Sequence, residues 1–389
     1  MISYLRKNKI SSKTFCYFMK KVIVSVINDL STDQRVNRVC LSLCKLGFDV
    51  TLVGRKQRKS IPLSHRIYKT NRMNLFFEKG VLFYAEFHIR LFFFLLYRRS
   101  DVLVSNDLDT LLPNYIISKI KKSHLVYDSH EYFTEVPELV NSKLKQSVWK
   151  SIEKYVFPKL KYIFSVNESI AKLYSEEYHK EVHVLRNVPF SLKRDSRNSK
   201  QELGLPMDKK IILLQGSGIN VDRGAEEAVE AMQFVNNAIL LIIGSGDILE
   251  NLKQSALKLG TTNKVKFVNK LPFEELLKYG LHADIGLSLD KDTNINYRYS
   301  LPNKIFDYIH LGIPVLASPL KEIIKIYNQF EIGEMIENHQ PRHIGDKINF
   351  MLNNEDKIKI WKENTTLAAQ EFCWEKEEGE LIKVYTNFV

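Results

Sequence analysis

The 389-residue chain has no apolar run approaching the roughly 18 residues that a membrane-spanning helix needs. Its longest candidate, LFFFLLY at residues 91–97, is short and runs straight into Arg98 and Arg99. A secretory signal is not expected either, because MISYLRKNKISSKTFCYFMK at residues 1–20 is polar and basic and lacks an apolar centre. Cysteine is scarce. Cys16, Cys40, Cys44 and Cys373 form no paired framework. Cys40 and Cys44 fall four apart on a predicted helix without another Cys or His beside them, and read as core thiols rather than metal ligands. A disulfide-stapled scaffold is not expected, and a reducing cytoplasm is the expected location.

Acidic residues are thin in the first half. Residues 1–200 hold 36 Lys and Arg against 18 Asp and Glu, whereas residues 201–389 hold 21 against 27. The formal net charge of +12 is therefore concentrated in the first half, which is expected to face something anionic. A negatively charged membrane surface is one candidate and nucleic acid another, beside a plain basic face. No stacking-aromatic motif of known spacing supports nucleic acid, which is not an expected partner.

What is present describes a globular chain. It is 44% hydrophobic and 26% charged, and long enough for two to three domains. KKVIVSVIND, FDVTLVGR, DVLVSND, SHLVYDSHE, YIFSVNES and EVHVLRNVP are short apolar runs ending in polar residues, with helical segments between them. That alternation predicts a parallel sheet covered on both faces. The pattern lapses in a polar stretch at residues 190–210 and restarts with KIILLQGSG, AILLIIGSGD, VKFVNKL, ADIGLSLD and PVLASP. The expected fold is α/β, with two doubly wound Rossmann-like domains facing a cleft. The first domain covers residues 1–195, including a basic extension at 1–19. A linker at 196–210 leads to a second domain at 211–370, and a helix at 371–389 packs back across. Ligands bind outside the carboxyl ends of strands in such sheets, so the polar strand endings should line the cleft.

Two stretches carry the chemistry of the second half. LLQGSGINVDRGAEEAVEAM runs from a strand into a turn at Gly216, Ser217 and Gly218, then Arg223, then a helix. Glycines let backbone N–H groups approach an anion, and Arg223 can add a charge-assisted contact. The spacing is not the dinucleotide fingerprint, and a plain tight turn is the competing reading. IIGSGD, with Gly244, ends a second strand that could wall a base pocket. SLPNKIFDYIHLGIPVLAS places Pro302, Asn303, Lys304 and Asp307 at the start of a helix. Free N–H groups there, with Lys304, make an anion site, and Asp307 one turn on can accept from two ribose hydroxyls. A solvated helix cap is the alternative. In the first half, YDSHEYFTEVPEL sets Asp128, His130 and Glu131 at a strand end, where a histidine can bond a hydroxyl or move a proton. NDLSTDQRV offers Asn28, Asp29, Asp33 and Arg35 on a strand-to-helix loop. In NDLDT, Asp107 and Asp109 imitate a metal-binding aspartate pair, although Asp109 can equally cap a helix starting near Leu111.

Together NDLSTDQRV, NDLDTLLP, YDSHEYFTEVPEL, SVNESIA, LRNVP, QGSG…DRG and SLPNKIFDYIHLGIPVLAS resemble the retaining glycosyltransferases of family 4, or group 1, with the GT-B fold. The resemblance runs from Lys21 to about Tyr385. It implies a nucleotide-diphosphate sugar as donor substrate, bound in the second domain by Gly216, Ser217, Gly218, Arg223, Gly244, Asn303, Lys304 and Asp307. It also implies a hydroxyl acceptor, a sugar or a lipid-linked one, near Asp29, Asp33, Arg35, Asp107 and Glu131. His130, Arg223 and Lys304 would act on the transfer, with no metal, no cofactor and no enzymic nucleophile. Asn187 matches the family's asparagine before the linker. Two positions depart from the family pattern: Tyr299 stands where its first acid would be, and Ser217 where many members carry arginine. Surface-polysaccharide or glycolipid assembly is the implied setting. A nucleotide-sugar 2-epimerase of the same fold, a basic nucleic-acid-binding protein and an inactive carbohydrate-binding homologue are the alternatives. Residues 74–99 carry seven phenylalanines among Lys79, Arg90, Arg98 and Arg99. They predict either core packing or a segment lying on an anionic membrane, peripheral to its inner face.

Overall fold

The computed structural model describes residues 19–31, 33–58, 60, 62–192 and 198–389. The expected basic extension lies outside these residues apart from Met19, as do Cys16 and residues 193–197, where the first domain was expected to meet the linker.

The first seven strands are β1 (Lys21–Asp29), β2 (Asp49–Lys56), β3 (Lys69–Asn74), β4 (Val102–Asn106), β5 (His124–Ser129), β6 (Tyr162–Ser165) and β7 (His183–Val184). They form one sheet in the order β3-β2-β1-β4-β5-β6-β7, with every pairing parallel. The remaining strands are β8 (Lys210–Gly216), β9 (Ala238–Gly244), β10 (Val265–Asn269), β11 (Ile285–Ser288), β12 (Val315–Ala317) and β13 (Gly333–Met335). They make a second parallel sheet in the order β10-β9-β8-β11-β12-β13. The order reverses between β1 and β4 in one sheet and between β8 and β11 in the other, which places a ligand crevice at each reversal.

The strands carry apolar residues on both faces because helices cover both. On one face of the first sheet, Val22, Val24 and Leu52 pack under α1 (Gln34–Lys45). On the other, Ile23, Val53 and Leu103 pack with α2 (Gly80–Leu96), which buries Phe83, Phe87, Leu91 and Leu95 at every fourth position. Beside α2 lies α3 (Leu108–Lys121), then α5 (Lys143–Val156), whose Trp149 ring meets Tyr84 of α2, with the single turn α4 (Pro137–Val140) against α5.

Two strands, β3 and β13, have no counterpart in the sequence reading, and the run EVHVLRNVP yields only the two-residue β7. The C-terminal helix, Trp374–Tyr385, does pack back. Trp374, Leu381, Tyr385 and Phe388 join the core of the first domain, and the Trp374 indole N–H donates to Ser42 Oγ at 2.9 Å. Asp109 does not cap a helix. The helix already begins at Leu108, with Asp107 in the cap position, so Asp109 falls in its first turn and points inward. Among the described residues no helix is long and apolar enough to cross a membrane.

Candidate active site

The first wall of the cleft is built at the carboxyl ends of β4 and β5. Asp107 follows β4 with φ 58°, a backbone conformation that turns its carboxyl toward His130. It accepts from the His130 backbone N–H at 2.7 Å and lies 3.3 Å from Nδ1 of the ring. On the other side of the imidazole, Nε2 is 3.2 Å from Asn106 Oδ1 and 3.5 Å from Asp128 Oδ2. Burial disfavours a charged imidazole, but Asp107 and then Asp128 outweigh it, and the His130 pKa is raised to about 9. Asp128 is itself buried, yet Arg35 and His130 hold its carboxyl well below the usual range. At neutral pH His130 is therefore a cation clamped between two carboxylates, and so a hydrogen-bond donor.

Arg35, expected at the acceptor face, is turned into the domain instead. Its Nε and Nη2 grip Asp128 at 3.1 and 2.6 Å, its Nη1 donates to Leu185 O at 2.7 Å, and only 2% of the residue is exposed. Asp33 is the cap of α1, accepting from Val36 N at 3.0 Å and from Asn28 Nδ2 at 3.1 Å. Asp29 accepts from Ser60 Oγ, from Ser31 N at 3.1 Å and from Arg72 at 2.9 Å; burial opposes its charge, but the Ser60 and Ser31 bonds win and its pKa is lowered. Asp109 has one carboxylate oxygen without a hydrogen-bond partner, and burial followed by the Asp107 charge raises its pKa far above the usual value. Glu131 lies among acids. Burial and then Asp107 push it up to about 7, while Asn296 of the other domain donates to it at 3.2 Å.

The second wall rises from β8 and β11. Asp290, fully buried just past β11, holds both expected cations. Arg223 Nη1 bonds its Oδ1 at 2.9 Å and Lys304 Nζ lies 3.0 Å from its Oδ2. Burial would raise the Asp290 pKa, but Lys304 and Arg223 keep it below the ordinary value. The Arg223 guanidinium also lies 4.2 Å above the Tyr297 ring. Lys304 sits in the first turn of the helix Asn303–Leu311. The residue before that helix is Pro302, which makes no side-chain cap; the Ile305 N–H bonds back to Pro302 O at 3.1 Å, and the N–H groups of Asn303 and Lys304 head the helix without a side-chain cap. Asn303 is exposed there. One turn on, Asp307 accepts from Gln215 Nε2 at 2.7 Å, and burial pushes its carboxyl up to about 7 against the opposing pull of Arg38, which belongs to α1 of the first domain.

Ser217 and Gly218 are exposed in the turn after β8. Gly224 has φ 76°, and a Cβ there would stand 2.2 Å from Leu289 O. Gly244 sits where a Cβ would come within 1.8 Å of Gly216 O, so glycine at 244 lets the ends of β8 and β9 touch. Tyr299 does not reach into the site as an acid would. Its ring packs on a first-domain cluster with Lys321 5.0 Å above it, and its carbonyl accepts from Asn167 Nδ2 at 2.8 Å. Asn187 accepts from Arg38 where the chain leaves the first domain.

Asp290, Gln215, Asn296 and Arg38 were not singled out in the sequence. Asp290 had a signal of its own, since it is the polar ending of ADIGLSLD, just as Asp128 ends its strand. Asn296 ties the walls together, because its Oδ1 also accepts from Tyr132 N at 3.0 Å.

Two facing Rossmann-like domains, each with its strand ends and switch point turned to a shared cleft, define the GT-B class of fold. Residues 195–367, which include the second wall, match the sequence model of the family described as glycosyl transferases group 1. A D-inositol 3-phosphate glycosyltransferase from Corynebacterium efficiens is 22% identical over 204 residues, or 50% of this chain and 46% of that protein. The chain thus spans about half the length of the curated relative it matches. Among solved structures, sucrose-phosphate synthase from Thermosynechococcus elongatus superposes with a TM-score of 0.76 at 15% identity, covering 95% of this chain and 98% of that one. Anabaena HepE, in a complex with UDP-glucose, superposes at 0.72 and 12% identity over 94% and 99%. At such identities these structures speak for the fold.

Proposed function

We propose that the protein transfers a sugar from a nucleotide-diphosphate sugar to a hydroxyl acceptor, with retention of configuration and without a metal. The observation that carries this is the pair Arg223 and Lys304, both fixed on buried Asp290 at an uncapped helix mouth. A cation pair held in place before the ligand arrives is what a leaving diphosphate requires. In this reading Asp307, one turn along, would hold the ribose, and the group 1 match over residues 195–367 supports sugar transfer.

In this reading the bond between the anomeric carbon and the diphosphate breaks with its electron pair going to the diphosphate oxygen. The acceptor oxygen forms the new bond from the same face, and its proton passes to the departing diphosphate. No side chain forms a bond to the sugar. Arg223, Lys304 and the helix mouth stabilise the leaving group, and cationic His130 donates to a sugar hydroxyl. Tyr299 in place of an acid leaves more of the orientation to His130 and to Glu131. The acceptor side is the basic first domain around Asp29, Asp107 and Glu131. A lipid-linked acceptor, met at a membrane surface during polysaccharide or glycolipid assembly, fits its charge.

The test is a set of nucleotide sugars screened for thermal stabilisation, followed by turnover of the best binder and assignment of the product anomer by NMR. Binding with an inverted product would overturn retention. Absence of stabilisation by every nucleoside diphosphate would overturn the donor site.

A further inference from the structure

On the side of the first sheet away from α1, the helices α2, α3 and α5 lie next to one another. Their inward stripes are core, but their outward faces are not polar. Leu82, Ile89 and Phe93 of α2, Ile120 of α3, and Val148 and Tyr155 of α5 are all exposed. Scattered single apolar residues are ordinary; three adjacent helices carrying them on one face are not.

At the end of this face where β5 and β6 begin, opposite the cleft, there is a pocket of about 360 Å³. Lys119, Lys122, Lys159, Lys161 and His124 line it, and among the described residues no carboxylate does. Aromatic rings stand beside three of these lysines. Lys159 Nζ lies 3.0 Å from the Tyr155 centroid, Lys119 5.4 Å from Tyr115, and Lys161 5.1 Å from Tyr162. Arg98, at the nearby end of α2, lies 3.8 Å from the Phe94 ring. Four ammonium groups around one concavity repel one another and gain when an anion enters. A phosphate-bearing group matches the charge and size of the space.

The surroundings select its source. The pocket adjoins an apolar face rimmed by cations, which describes a surface lying in the interface of an anionic bilayer. The 17 residues of α2 span about 25 Å from this end toward the cleft. At the cleft end, after the carboxyl end of β3, Phe76 and Val81 are 82% and 73% exposed. A bilayer touching the pocket would thus also touch the rim of the cleft.

We propose that this lysine pocket takes the phosphate headgroup of an anionic lipid while the outer face of α2, α3 and α5 lies on the bilayer. The inference deepens the membrane part of the proposed function and rests on it. The test is flotation of the full chain with vesicles of phosphatidylcholine alone, or mixed with phosphatidic acid or phosphatidylglycerol. Two variants accompany it, Lys119→Ser/Lys122→Ser/Lys159→Ser/Lys161→Ser and Ile89→Ser/Phe93→Ser. The wild type is expected to float with the anionic vesicles, best with phosphatidic acid, and to be released by salt. The lysine variant should bind about a hundredfold more weakly or worse, because each cation near an anionic surface adds to the attraction. The apolar variant should also float less. If the fourfold variant does not fold, Lys161→Glu alone gives the same comparison.

A wild type that stays in the pellet fraction with anionic vesicles at low salt would overturn the proposal. So would a lysine variant that floats equally well, or glycerol phosphate bound in calorimetry without any vesicle binding, which would make the ligand a free phosphate. Nucleoside-diphosphate binding is measured on the same samples. Flotation without nucleotide binding would sink the donor site and leave this face standing; nucleotide binding without flotation would do the reverse.

Discussion

Asp290 is the counter-ion of two cations, Arg223 and Lys304, which otherwise would repel each other at the helix mouth. Each cation stays partly exposed, with 29% and 13% of its side chain open, so a second anion can reach it. Arg223→Ala and Lys304→Ala should each weaken nucleoside-diphosphate binding by about tenfold or more, since hydrogen bonds to charged groups contribute about 1.5–3 kcal/mol. Calorimetric titration checks this, and unchanged affinity in both variants would remove the phosphates from this mouth. Asp307, whose carboxyl is pushed up to about 7, should hold ribose best when ionised. Wild-type nucleotide affinity should therefore rise through neutral pH relative to Asp307→Asn, and parallel profiles for the two proteins would refute the role. His130 gives a stability test of opposite form. Its pKa is raised from 6.5 to about 9, so the folded state favours its protonated form. That contribution is fully present below about pH 6.5 and is lost as pH climbs to about 9, on the order of 3 kcal/mol. The gap in Tm between wild type and His130→Gln should close over that window. The places of His130, Arg223 and Lys304 were readable in the sequence because each follows a strand or stands at a helix start in a recognisable run, and Asp307 follows one turn into its helix. The burial of Arg35 was not, because its partner Asp128 lies 93 residues away and nothing local announces the pair.

Helix α2 shows what one element can do with an excess of phenylalanine. Its buried stripe repeats every fourth residue, Tyr84, Phe92 and Phe94 pack at the margin of the core, and Phe93 is exposed with Val81, Leu82 and Ile89. Phe87→Ala, at full burial, should cost about 3–5 kcal/mol in denaturant unfolding. Phe93→Ser, at an exposed site, should change stability by no more than about 0.5 kcal/mol. Equal costs would mean that the outer face is packed in solution. The sequence offered core or membrane as alternatives for residues 74–99, and the periodicity of the buried positions divides the segment between a core stripe and an exposed face. Elements that escaped the sequence reading did so for physical reasons. β3, KTNRMN, is an edge strand with mostly polar residues, and β13 is three residues long. Neither has an apolar run to detect.

At the scale of the molecule, the two sheets and their direction were readable from the alternation of strands and helices. What closes one domain on the other was not. Asn296 bonds Tyr132 and Glu131 across 164 and 165 residues, and Asn167 reaches the Tyr299 carbonyl across 132. Asn296→Ala should loosen this closure. Small-angle scattering should then show a larger radius for the variant without ligand, and a turnover assay a raised KM; identical scattering would mean that other contacts hold the cleft. The chain crosses between domains again at its end, where Trp374 N donates to Pro189 O at 2.8 Å and binds the two crossings side by side. Trp374, Leu381, Tyr385 and Phe388 then complete the core of the first domain. On the ribosome this sets an order. The second domain has all its strands and helices once Glu371 has been added. The first domain begins with β1 at Lys21, well before β8 opens the second at Lys210, but its core stays incomplete until the helix Trp374–Tyr385 has been made. Until then apolar surface of the first domain is uncovered, and a truncation just before Trp374 is expected to destabilise that distant domain more than the one it directly follows.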